Sequence, residues 1–462
     1  MGAPFLSPIH HGHDAKGTRS HETSRPRPSW LAKGLVCILL FVLVRQGFVT
    51  IKPMWYRHAA AGFFAWNPSA AIRHELSDLH VGDTSSDHAW CFLNQTTQGA
   101  RHSASYSAHY VRSSPKLYFL NRGRLVSGNM TFAVARSEDV DVPNVGASFT
   151  VRSKRDDCTA NVCLLQTPDK TQIRLGVYDY YSDEVNRAAC EGHGDLPVEI
   201  SASIVFVVPT TLREAARWEE LLTQMGSMSV HLSNMTGTVE LDAAFLQSDA
   251  GHIVIDGLRT STANFRSRAG GIYANIAADD TILLASQGGP IRANATLRFA
   301  EGADAPSLYL SSSQGTVDVA VALELHHPRS DEPTEFFLQS WIGAGGDLRT
   351  NVSSMPSVSE ASLGIININN GGRAEIVLPA QFEGSFSLIS TQGGSPGMVR
   401  NRPTTVDPEG RGRNRTLAVV YDEENGMVAG ETFWGHRPPR SDLKSYVYSE
   451  TRSNGGETIL QL

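Results

Sequence analysis

No HExxH, no GxxxxGKS/T loop, no paired CxxC and no GxGxxG opening a helix occurs in the 462 residues. Those absences remove the helical zinc peptidases, the P-loop hydrolases, the cysteine-rich zinc modules and the dinucleotide-binding folds, which need these residues at these spacings. Charged side chains are scarce, at 19%, against 41% hydrophobic residues and 41 glycines. That balance excludes a disordered chain and suits a turn-rich β protein. Basic charge is concentrated at the N-terminus. Residues 1–33 hold Lys16, Arg19, Arg25, Arg27 and Lys33 against Asp14 and Glu22, a net of +3, so the rest carries −10 of the total of −7. An acidic main body argues against nucleic acid as a partner. No cofactor or metal is implied.

One apolar run lies close to the start. Residues 34–44 read GLVCILLFVLV; Arg45 and Gln46 interrupt, and Gly47 to Ile51 resume. Trp30 and the Trp55–Tyr56 pair bracket the segment, roughly 37 Å apart at ~1.5 Å per helical residue, near the separation of the two bilayer interfaces. Residues 31–51 are therefore expected to be a transmembrane signal-anchor. Residues 1–30, rich in Pro, His, Ser and Arg, are expected to be a disordered cytosolic tail, and residues 52–85 a juxtamembrane stalk. A cleaved signal peptide is the alternative, because the uninterrupted run is short enough for one. The basic tail should stay cytosolic, which puts the body outside it, extracellular or lumenal, in a type II single-pass arrangement.

Two further features agree with export. N-x-S/T acceptors occur at Asn94, Asn129, Asn234, Asn294, Asn351 and Asn414, all beyond the apolar run. Of five cysteines, Cys37 lies inside the run, while Cys91, Cys158, Cys163 and Cys190 follow it. An even set in an exported region suggests two disulfides, with three connectivities open; four reduced core cysteines are the plainer alternative.

The body reads as mainly β. Short apolar runs between turns fill a disulfide-containing β region over 86–208, ending on the strand VEISASIVFVV at Val198–Val208 and stopped by Pro209. One short amphipathic helix is expected next, from the capping box Thr211-Leu-Arg-Glu214 and the spacing of Ala215, Trp218, Leu222 and Met225, with Gly226 as its stop. A β-repeat domain over 209–325 carries a template of apolar, any, Ser or Asn, any, any, Gly, any, apolar. It fits Leu232–Val239, Leu246–Ile253, Phe265–Ile272, Leu284–Ile291 and Leu310–Val317. The polar position falls at Asn234, Ser248, Ser267, Ser286 and Ser312, at intervals of 14, 19, 19 and 26 residues. Each unit is too small to bury its own face, so neighbours must stack, in a β-solenoid-like body or a coiled β-sandwich. The glycine is expected to adopt a backbone conformation that other residues avoid. An ordinary antiparallel sandwich with similar turns is the alternative. A break at His326–Pro333 precedes a C-terminal β region over 334–462, in which Asn425–Gly426 marks a hairpin.

The repeats, the passage Ile376-Val-Leu-Pro with Phe382-Glu-Gly-Ser-Phe386, the ending Phe433-Trp-Gly435 and the late Ser453-Asn-Gly-Gly456 resemble uncharacterised fungal membrane-anchored proteins. Those are in turn similar to bacterial adhesin-like β-repeat domains of unknown function. The resemblance covers about 195–462. It implies a repetitive β fold at a cell surface or in the secretory lumen, and it carries over no catalytic residue.

Candidate chemistry is sparse. Gly393-Gly-Ser395-Pro-Gly397 matches a nucleophile elbow, but Pro396 blocks the helix that such an elbow needs, which leaves a Gly-rich loop. Asp139-Val-Asp141 is a D-x-D pair of the kind that holds a divalent ion against a sugar nucleotide, or else a solvated acidic turn. Asp279–Asp280 lacks a stacked base. Asp249 and Arg268 share one repeat position and should be rung neighbours at the surface. His326–His327 lacks a third ligand. The reading is a non-enzymatic, adhesin-like membrane glycoprotein with a binding or structural role, its partner a carbohydrate, cell-wall polymer or protein. A type II secretory-pathway glycan-modifying enzyme, resting on Asp139 and Asp141, is the alternative.

Overall fold

The run Val198–Pro209 (β8) buries Val198, Ile200, Ala202, Ile204 and Phe206 and turns Glu199 and Ser201 outward. This two-residue period of a half-buried strand recurs along the chain. The computed structural model describes residues 89–92, 102–108 and 116–121, then 126–462 apart from 154–158, 167–171, 181–197, 300–304, 327–333, 344, 358, 392–394, 396, 402–405, 440–442 and 453–455. All of these lie in Ser85–Leu462, one of the chain's two units; the other is Met1–Thr84. They form 26 strands in a single sheet, and no helix occurs among the described residues. The expected transmembrane segment and stalk lie outside the described residues, among which no helix is long and apolar enough to cross a membrane.

From β9 (Ala216–Gln224) onward the chain winds, laying strands alternately into two ribbons. Ribbon A receives β9, β11 (Val239–Ser248), the second halves of β12 (Ile253–Ser267) and β13 (Ile272–Ser286), β15 (Ser307–Ser312), β17 (Thr334–Ile342) and β19 (Ala361–Asn369), each parallel to the one before. Ribbon B receives β10 (Ser227–Leu232), the first halves of β12 and β13, β14 (Ile291–Phe299), β16 (Val317–Leu325), β18 (Leu348–Ser354) and β20 (Arg373–Val377), also parallel. β12 and β13 cross between the ribbons as single strands, with register shifts between Ile255 and Leu258 and between Thr260 and Thr262. Parallel neighbours cannot be joined by a tight hairpin, so each turn must travel round the opposite ribbon before returning.

Both ends depart from simple winding. β3 (Lys116–Asn121) lies between β7 (Gln172–Tyr180) and β9, and β4 (Val126–Ser137) lies between β8 and β10. At the other end β25 (Ser445–Thr451) lies between β19 and β21 (Gly384–Ser390), and β26 (Glu457–Gln461) between β20 and β22 (Met398–Arg400), parallel to both neighbours in each case. Antiparallel strands finish the ribbons. β6 (Thr159–Gln166) and β1 (Ala89–Phe92) extend ribbon A beyond β7. β5 (Asn144–Ser153) and β2 (His102–Ala108) extend ribbon B beyond β8. The hairpin β23 (Arg415–Asp422) and β24 (Met427–Trp434) follows β21.

The core lies between the ribbons and is built in columns. Val230, Ile253, Ile272, Ile291, Val317 and Leu348 stand in register on ribbon B, each no more than 2% exposed. Leu246, Phe265, Leu284 and Leu310 form the facing column on ribbon A. Each such side chain contributes roughly 1.5–3 kcal/mol on burial. At the N-terminal end Phe119, Phe132, Phe206 and Trp218 pack in series, with centroids 5.1, 6.5 and 5.2 Å apart. In the C-terminal turns the interior becomes polar. Ser340 Oγ donates to Asn367 Oδ1 at 2.9 Å, and Asn367 Nδ2 donates to Ser449 Oγ at 2.8 Å, all three buried.

Ser248, Ser267, Ser286 and Ser312 stack in register where ribbon A turns back to ribbon B. They are buried, and their hydroxyls donate to backbone carbonyls of the turns, as Ser248 does to Gly226 and Met228 and Ser312 to Gly315. The stacking expected of the repeats is present, so the antiparallel alternative fails for these turns. The 19-residue interval is one full coil. The 26-residue interval contains an extra connection between Phe299 and Ser307.

Three expectations are corrected. The segment Leu232–Val239 does not belong to the stack, because Asn234 lies where ribbon B turns to ribbon A, at the opposite corner. The glycines of the stacked turns, Gly251, Gly270, Gly289 and Gly315, are not in the left-handed region. A Cβ on any of them would run into the backbone of the preceding coil, so proximity and not φ requires glycine there. Gly237, in the unit that does not stack, does have a positive φ of 73°. Finally, the expected helix is strand β9. Trp218 faces Leu241 and Leu222 faces Tyr118 in parallel register. Helical preference is worth only tenths of a kcal/mol per residue, and in-register ladders on both sides outweigh it.

Candidate functional site

The coils bring together a groove of about 500 Å³ on the outer face of ribbon B. Along any strand every second residue points outward, and neighbouring strands lie ~4.8 Å apart, so outward residues form rows across the coils. One row runs Val254, Tyr273, Arg292, Asp318; the next runs Asp256, Asn275, Asn294, Ala320. All eight line the groove. Asp256, Asn275, Arg292, Asn294 and Asp318 are exposed, and Tyr273 is half-buried.

Several of these groups are held in place. The Tyr273 ring lies back along its strand over Gly271, where an added Cβ would sit 2.9 Å from it. The His252 ring stands beside it, 6.0 Å between centroids, and His252 Nδ1 accepts the Gly271 amide at 2.9 Å. Asn275 Nδ2 donates to the Asp256 carbonyl at 3.3 Å, which leaves its Oδ1 as an outward acceptor. At the groove's end His231 Nε2 and Asp256 Oδ2 are 2.9 Å apart. The surface thus offers an aromatic ring, amides and both signs of charge at regular intervals.

Two charged clusters lie elsewhere. At the corner from ribbon B to ribbon A, Arg217, Glu240, Arg259, Asp279, Arg298 and Glu324 alternate in sign up the coils, with contacts of 2.8 to 3.9 Å. Near the terminal hairpin, Asp407 is buried and accepts from Arg413 Nε at 3.1 Å, Arg413 Nη2 at 2.9 Å and the amides of Glu409 and Arg413. Those hydrogen bonds, Arg413's side chain foremost, hold the Asp407 carboxyl well below the usual range. Burial pushes Glu383 up, opposed by the Trp434 amide and by Arg413. Arg415 Nη2 donates to the Phe382 carbonyl and its guanidinium sits 5.7 Å from the Trp434 ring centre, which fastens the hairpin to the body.

The residues singled out in the sequence are mostly dispersed. Asp139 and Asp141 are exposed in the turn after β4, where the Asp139 amide bonds Ser137 Oγ. Ser395 is exposed between β21 and β22, with its amide on the Gly456 carbonyl. Asp279 belongs to the corner charges, and Asp280 accepts from Thr262 Oγ1 at 3.2 Å. Asp249 and Arg268 are exposed and neighbour each other in successive coils, since Ser248 and Ser267 are in register. His326 is exposed; His327 lies outside the described residues. Among the described residues no three His, Cys, Asp or Glu gather to hold a metal ion.

Of the acceptor asparagines, Asn129, Asn234, Asn294 and Asn414 are exposed and Asn351 half-buried; Asn94 lies outside the described residues. Cys91 and Cys163 are partners in the antiparallel backbone register of β1 and β6, while Cys158 and Cys190 lie outside the described residues. Sequence reasoning missed the groove, although Val254, Tyr273 and Arg292, like Asp256, Asn275 and Asn294, recur at the same 19-residue interval as the serines.

No family model and no curated protein matches the chain. Among solved structures it is similar to a "putative cell adhesion protein" from Clostridium sporogenes, with 8% identity over 78% of this chain and 99% of that one, at a TM-score of 0.15. A likeness this slight assigns neither a fold nor a role.

Proposed function

We propose that the body is the non-enzymatic, adhesin-like binding module of a single-pass membrane glycoprotein, held outside the cytosol by residues 31–51. It would grip an extended carbohydrate chain, such as a cell-wall polymer, along ribbon B. The observation that carries the reading is the groove itself. Tyr273 supplies an apolar ring face of the kind on which a sugar stacks, and amide and charged side chains recur beside it at rung intervals. The apolar run, the basic tail and the acceptors beyond the run support the membrane part.

The test is binding of the full-length protein, made in a host that adds no N-glycans and held in detergent, to glycan and cell-wall polymer arrays, with Tyr273→Ala and Asn275→Ala beside wild type. Each substitution is expected to weaken binding at least tenfold with the fold intact. Binding that both variants retain in full would move the site off ribbon B. Turnover of a glycan would replace the reading with an enzymatic one.

A further inference from the structure

Two acceptor asparagines that the sequence spaces 57 residues apart, Asn294 and Asn351, stand in one row on ribbon B. The row runs from Asp256 through Asn275 to Asn294, then through Ala320 to Asn351. At ~4.8 Å per coil, Asn294 and Asn351 are roughly 10 Å apart. Asn234 lies off the row, at the corner where ribbon B ends, with its side chain over Gly257. Asn294 lines the groove, and Tyr273 is its diagonal neighbour on the adjacent strand, within about 8 Å. Thr296, the hydroxyl residue of that acceptor, lies two positions along β14 and so on the same face.

We propose that Asn294 carries an N-linked glycan and that this glycan lies across the groove, so that occupancy of this one acceptor closes the ligand site. The inference rests on the groove reading for what is closed. Attachment is a group transfer: the Asn294 amide nitrogen loses a proton and bonds the anomeric carbon of a lipid-linked oligosaccharide, and the lipid diphosphate leaves. The first sugar then has the Tyr273 ring within reach as a stacking face and the Asn275 Oδ1 as an acceptor. A glycan on Asn351 would crowd it from one side along the row.

Thr296→Ala erases the acceptor and keeps the Asn294 amide in place. The full chain is purified from a eukaryotic host as wild type, as Thr296→Ala, and as Thr131→Ala, which removes the Asn129 acceptor elsewhere on the ribbon. Peptide mass gives occupancy at Asn294, and tetranitromethane gives the nitration rate of Tyr273. The wild-type peptide should carry a glycan, and Tyr273 should react at least threefold faster in Thr296→Ala than in wild type or Thr131→Ala. Enzymatic removal of N-glycans from folded wild type gives the same comparison without a substitution. An unmodified Asn294 in wild type overturns the proposal. So does equal Tyr273 reactivity with and without the glycan. Neither readout uses a ligand, so failure here leaves the groove reading standing, whereas an empty binding array overturns the closing of a ligand site and leaves only the glycan's place over Tyr273.

Discussion

Gly288 and Gly289 are adjacent in one turn, and the structure predicts unequal responses to the same added methyl group. A Cβ on Gly289 would fall 2.2 Å from the Gly270 carbonyl oxygen of the preceding coil, where ordinary contact begins near 3.4 Å. Roughly 1.2 Å must therefore open between two coils tied by Gly288 N–Arg268 O at 2.9 Å and Ile272 N–Pro290 O at 2.8 Å. Overpacking of this kind costs about 1–3 kcal/mol, and each backbone hydrogen bond weakened adds about 1. The lost flexibility of the unfolded chain returns about 0.5–1 kcal/mol. Gly289→Ala should then destabilise by about 3 kcal/mol. A Cβ on Gly288 meets nothing nearer than 3.6 Å, so Gly288→Ala should stay within about 0.5 kcal/mol of wild type. Urea unfolding followed by circular dichroism, run side by side, reads the difference. Equal midpoints for the two variants would refute the claim that the coils approach each other through glycine.

Asn367→Ala strands the buried hydroxyl of Ser340 and leaves Ser449 only its 3.4 Å contact with Thr458, and should cost about 2 kcal/mol, read as a lowered melting temperature. Non-reducing peptide mapping should recover Cys91 linked to Cys163, since directly opposed antiparallel residues lie within disulfide range; the loop so closed, of roughly 70 residues, would contribute about 4 kcal/mol. Recovery of Cys91 joined to Cys158 or Cys190 would refute that register. Asp407 has a folded pKa below its unfolded value, so its contribution is present above the ordinary aspartate range, near 4, and is lost as pH falls through and below it. Asp407→Asn should lower stability at pH 7 and flatten the acid limb of the stability–pH curve, measured by thermal melts between pH 7 and pH 2.

The strands were legible wherever alternation was strong. Val198 to Val208 needs only its own residues to declare a buried face, and the serines at 248, 267 and 286 announce a coil of constant length. Trp218 and Leu222 misled because helical spacing and strand alternation overlap in a nine-residue segment, and only its neighbours decide between them. Asn234 misled because a local template cannot tell one corner of a coil from the other. The groove stayed hidden for a different reason. Its polar residues are unremarkable one at a time, and they become a site only when coils 19 residues long set Tyr273 beside Arg292 and Asn275 beside Asn294. The opposition of Cys91 and Cys163 was equally out of reach, since it follows from the register of two strands about seventy residues apart.

The strands β25 and β26 have a consequence for the order of assembly. A chain that winds turn upon turn can add each coil as it leaves the ribosome, because each needs only the coil before it. Here β21 has β25 on one edge, and β25 in turn has β19 on its other, so the place between β19 and β21 stays vacant until residues 445–451 have been made. The same holds between β20 and β22 until residues 457–461 arrive. Four strand edges, those of β19, β20, β21 and β22, must wait unpaired through the synthesis of the hairpin Arg415 to Trp434. A premature stop in this stretch would therefore do more than shorten the protein. It would leave an open slot two strands deep, fit to accept the matching segment of another chain.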